Sequence, residues 1–72
     1  MQLKVLLDEW NVAINDREAL IADPDGRRDY LEAFVAGCRG VIADEDLVEM
    51  YELIDCARWW AIGEGAILKI AD

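Results

Sequence analysis

The segment DPDGRRDYLE brings Asp23, Asp25, Asp29 and Glu32 close together around Gly26. Oxygen donors beside a glycine are the raw material of a calcium loop, in which donors at positions one, three and five precede a glycine at position six. Counted back from Gly26, position one falls on Ile21, and Arg27 and Arg28 fall inside the cage. The spacing therefore suits a capped turn, and neither a metal nor a cofactor is expected. Cys38 and Cys56 fit no CxxC redox pattern, and without a histidine in the chain no Cys/His zinc set can be written. Both cysteines fall on or beside apolar faces, where a reducing compartment leaves them as packed thiols.

The residues that are missing exclude more. The chain has no serine, threonine or histidine, so the hydroxyl nucleophile and imidazole base of most hydrolytic sites are absent. A carboxylate pair or a cysteine nucleophile would still need a base and a concave pocket, which 72 residues can hardly wall. The chain is not expected to be an enzyme.

Chemistry of another kind is offered by DEDLVEMYELID followed by ARWW. Between Gly40 and Ala57 there are six acids and no base. At 100° per residue, Glu45, Glu49, Glu52 and Asp55 project to the face of a helix away from its core, and Val48 and Trp59 project there too. Trp60 falls at the edge of the core beside Leu53. An aromatic ring among carboxylates suits a protein partner with a basic surface, engaged by cation–π contact and charge pairing. The competing reading places Trp59 under the C-terminal tail or in a homodimer seam.

The formal net charge of −9 agrees with basic partners and opposes direct contact with nucleic acid, which needs Lys and Arg against phosphates. No apolar run reaches the length of a membrane span, and MQLKVLLDEW places Asp8 and Glu9 where a signal peptide would stay apolar. A cytoplasmic protein is expected.

These side chains must be held by a single helical domain spanning residues 1–72, all-α, with three helices arranged as a helical hairpin plus a third helix. Leu3, Leu6, Leu7, Trp10, Ala13, Ile14, Leu20 and Ile21 recur at three- and four-residue steps and predict one helix of about twenty residues. Arg17 falls inside that stripe, where it can snorkel or pair with an acid. Pro24, Asp25 and Gly26 end it. The second helix is capped either by Asp23, with Pro24 in its first turn, or by Asp29 with Glu32. Its apolar face is Tyr30, Leu31, Phe34, Cys38, Val41 and Ile42. Asp44 caps the third helix, whose inner face is Leu47, Met50, Leu53, Ile54, Ala57 and Ala61, and Gly63, Glu64 and Gly65 interrupt it. The tail from Ala66 to Ile70 fits a helical turn or an edge strand. Leu3, Val5 and Leu7 alternate and can instead start a strand pairing with that tail.

A core this small is thin, and self-association is the natural supplement. Val5 and Val12, on a second stripe of the first helix, together with Ile67 and Ile70 of the tail, are the candidate seam of a homodimer. In size, acidity and lack of a chemical motif, with DEDLVEMYELID and ARWW, the whole chain resembles small bacteriophage accessory proteins that disable one host protein, the quorum-sensing anti-activators and anti-CRISPR proteins. The resemblance implies a stoichiometric, often dimeric inhibitor whose target is frequently a nucleic-acid-binding protein such as a transcription regulator. Two other readings stand beside it: an acidic DNA mimic, and a structural oligomer subunit.

Overall fold

Apolar residues at helical spacing, four Asp or Asn residues at segment junctions and one proline divide the chain into helices, and the computed structural model has four of them. It describes the backbone of residues 3–71 and the side chains of residues 3–65. They are α1 (Leu3–Ile14), α2 (Arg17–Ala22), α3 (Pro24–Ala36) and α4 (Asp44–Ala71). The all-α expectation is met. The strand alternative at Leu3 is not, because α1 is helical from that residue onward.

The first apolar stripe belongs to two helices rather than one. Asn15 and Asp16 compete for backbone hydrogen bonds, as short polar side chains do. The Asn15 side-chain amide donates to the Asn11 carbonyl at 2.8 Å, and the Asp16 carboxylate accepts from the Ala19 N–H at 3.2 Å, capping α2. The kink keeps Leu20 in the core but turns Arg17 outward, where its guanidinium lies 5.7 Å from the Trp60 ring centroid. Arg27 of α3 holds the joint. It donates to the Ala13 carbonyl at 3.2 Å and sits 3.8 Å from the Asp16 carboxylate.

Asp23 is the cap of α3, accepting from the Gly26 N–H at 3.1 Å, with Pro24 in the first turn where its missing N–H costs nothing. A Cβ at Gly26 would collide with that carboxylate. The turn after α3 passes through Gly40 at φ +84°, a left-handed backbone that favours glycine. Cys38 and Ile42 on either side of it are buried and pin the turn to the core. Asp44 is the first residue of α4 rather than its cap, so three acids occupy the positive end of that helix dipole.

Gly63, Glu64 and Gly65 do not interrupt α4, which runs on to Ala71 and resolves the tail as helix. A helical glycine costs about 1 kcal/mol relative to alanine, which a long run of good helix formers absorbs. A Cβ at Gly63 meets nothing within 4 Å. Gly63→Ala should therefore raise stability by about 0.5–1 kcal/mol, read as a higher midpoint in urea.

At 28 residues α4 is about 42 Å long, and it sets the long axis of a molecule measuring 45 × 19 × 14 Å. α3 and α2 pack along it and α1 closes the end of the core. Leu31, Val35 and Cys38 meet Leu20 and Ile54 in the fully buried centre, with Leu6, Trp10, Leu47, Met50 and Ala61 around them. Trp10 and Phe34 pack with ring centroids 6.0 Å apart.

One inner-face expectation for α4, Leu53, is corrected, and Trp60 beside it at the edge of the core is exposed as well. Leu53 is 50% exposed and Trp60 39% exposed. Both project about 80–120° from the Ile54–Ala61 line, and no fifth element covers that flank among the described residues.

Candidate protein-interaction surface

α4 carries Glu45, Val48, Glu49, Glu52, Asp55 and Trp59 at steps of one, three and four residues, and all six are exposed. From Glu45 to Trp59 the stripe runs about 21 Å. Cys56 belongs to it as well. It is exposed among the acids, unlike Cys38, and both are free thiols. Burial pushes the Cys38 thiol up, and its Sγ lies 3.3 Å from the Phe34 carbonyl, so it is a core residue.

Trp59 is 67% exposed, yet it does not hang free. The Arg58 guanidinium carbon sits 5.3 Å from its ring centroid. Arg58 is fixed in turn by Asp25 of α3, whose carboxylate accepts from the Arg58 Nε at 2.7 Å. One partner of the ring is thus supplied from within the chain, and the brace holds the indole before any partner arrives. A large ring ordered in advance loses less entropy on binding than a mobile one. Arg58 and Asp25 were not candidates from sequence. The signal was there, since Arg58 adjoins Trp59 and is the first base after the six acids, but its mate lies 33 positions away.

The Arg58 guanidinium holds the Asp25 carboxyl below its ordinary value of 3.8, first through the hydrogen bond, then through its charge, with Arg28 adding a smaller pull. A lowered carboxylate contributes stability that is whole above the ordinary value and disappears as pH falls through the lowered one. Thermal melts between pH 7 and pH 2 should therefore show a difference between the native chain and Asp25→Asn that narrows at the acid end.

The four carboxylates of DPDGRRDYLE each have a task within the fold. Asp23 caps α3, Asp25 holds Arg58, and Asp29 and Glu32 face Arg28 at 3.5 and 3.6 Å. Among the described residues no group of three or more His, Cys, Asp or Glu could hold a metal ion, and no polar or charged residue is buried.

The seam residues are only partly placed. Val5 and Val12 are exposed on α1, Val12 at 74%, and lie seven residues apart on one side of it. The side chains of Ile67 and Ile70 lie outside the described residues. No helix among the described residues is long and apolar enough to cross a membrane.

No protein-family model, curated protein or solved structure matches the chain.

Proposed function

We propose that this chain is a non-enzymatic protein-interaction module of the phage-inhibitor type, acting in the cytoplasm by occupying a basic surface of a host protein such as a DNA-binding regulator. The observation that carries this reading is the exposed stripe on α4, in which four carboxylates and Val48 lead up to the Arg58-braced ring of Trp59. An exposed valine and an exposed tryptophan with three carboxylates between them make a binding patch rather than an all-polar solvated helix face.

Affinity capture from a host lysate, followed by the same capture with Glu49→Lys and Glu52→Lys together, tests the reading. The native chain should retain one basic protein in stoichiometric amount, and the reversed face should lose it while keeping its helical spectrum. A DNA mimic is the second reading, supported by the line of carboxylates alone. Such a mimic loses affinity steeply with salt and is indifferent to Trp59, whereas an aromatic-anchored interface depends on Trp59 and less on salt.

The proposal includes a homodimer joined through the Val5 and Val12 side of α1. Sedimentation at micromolar concentration should give about twice the 8.1 kDa chain mass, and Val12→Glu should shift it to monomer by placing a charge in the seam. A single 8.1 kDa species at all concentrations would remove this part of the proposal.

A further inference from the structure

A concave feature lies on the opposite flank of the acidic stripe from Asp55. It is a groove of about 460 Å³ between α1, the turn before α4 and α4 itself. One wall is Leu3 and Leu7, and the other is Met50 and Leu53, with Val41 across the end. Leu3, Leu7, Val41 and Leu53 are all substantially exposed, an unusual outlay of aliphatic surface for so small a chain. Asp46 and Glu49 are the charged residues lining the groove, and Glu49 also belongs to the acidic stripe.

We infer that this groove receives an amphipathic helix of a partner protein whose apolar side is flanked by Lys or Arg. Three observations select that occupant. Both walls are helices whose groove-facing residues step by three and four, so they form ridges into which another helix's ridges fit. The charge inside the groove is acidic, so an incoming apolar face is best flanked by bases. A second copy of this chain would bring its own acids against Asp46 and Glu49, at a formal charge of −9 per copy, which disfavours self-pairing there. The inference rests on the partner-binding reading above and shares Glu49 with it, but its test reads Leu7 and Leu53, which are not part of the Trp59 stripe.

The test uses the full chain and a helical peptide of about fourteen residues, with leucines at three- and four-residue steps and flanking lysines, beside the same peptide with flanking glutamates. Methyl NMR spectra should show saturable shifts at Leu7 and Leu53, with the glutamate peptide at least about tenfold weaker. Leu53→Asp and Leu7→Asp, both at exposed positions and each compared with the native chain by circular dichroism, should each weaken the lysine peptide by about thirtyfold. Leu53→Met should restore it. Equal binding of the two peptides, shifts confined to other surfaces, or indifference to both aspartate variants would overturn the inference. So would Leu7 and Leu53 signals that move with protein concentration alone, which would make the occupant a second copy. None of these results touches the Trp59 stripe, whose reading stands or falls on capture of the basic partner.

Discussion

Ile54→Ala is expected to cost about 3 kcal/mol, the middle of the range for truncating a fully buried aliphatic side chain. Ile54 is 1% exposed and faces Leu31 and Val35, which are wholly buried, at the seam where α3 lies on α4. A chain of this length has a total stability of roughly 4–10 kcal/mol, so the variant should be partly unfolded at 37 °C and its urea midpoint should fall sharply. Trp60→Ala makes the comparison informative. Despite its larger ring, Trp60 is more than a third exposed and held at one face by Arg17, so its removal should cost about 1–2 kcal/mol. Equal losses from the two substitutions would mean that Trp60 belongs to the core.

That contrast marks where the sequence was legible. The apolar stripes located most of the buried positions, because a three- and four-residue period survives many arrangements of neighbours. But Leu3, Leu7, Tyr30 and Val41 of the expected apolar faces are exposed, and α3 ends at Ala36, before Cys38, Val41 and Ile42. Leu6, Trp10, Leu20, Leu31, Leu47 and Ile54 all entered the core as the pattern required. The outward stripe from Glu45 to Trp59 was equally legible, since six acids without a base have nowhere to go but solvent. The joint at Asn15 and Asp16 was missed because Leu20 and Ile21 resume the apolar period in phase beyond it and Arg17 reads as a snorkelling member of the stripe, while the capping chemistry that ends α1 is local and subtle. Continuation of α4 through Gly63 and Gly65 was missed for the opposite reason. Two glycines look like a stop, but without a positive φ they only weaken a helix. Leu53 and Trp60 sit at the boundary of the inner face, where only the neighbouring element decides between core and groove. Sequence spacing cannot supply that neighbour.

Trp59→Ala should cost about 2 kcal/mol or more of partner binding, roughly a thirtyfold rise in Kd, while leaving the melting temperature nearly unchanged. The ring is mostly exposed, so little core is lost with it. What disappears is the anchor that Arg58 and Asp25 hold in place. Neutralising Glu52→Gln and Asp55→Asn should act differently, slowing association at low salt and doing little at high salt, because exposed charges steer encounter more than they hold a complex. A loss of melting temperature equal to that of Ile54→Ala would instead assign Trp59 to the fold or to the homodimer seam.

The central claim is that Trp59 anchors a partner-binding face, and the chain's three tryptophans make it readable in one spectrum. Each indole N–H of an ¹⁵N-labelled chain gives its own signal, and Trp10 lies in the core while Trp60 lies on another flank. On titration with the captured partner, the Trp59 indole signal should shift and broaden to saturation at one equivalent, with Trp10 unmoved. A Trp59 signal that stays in place while the complex forms would contradict the account.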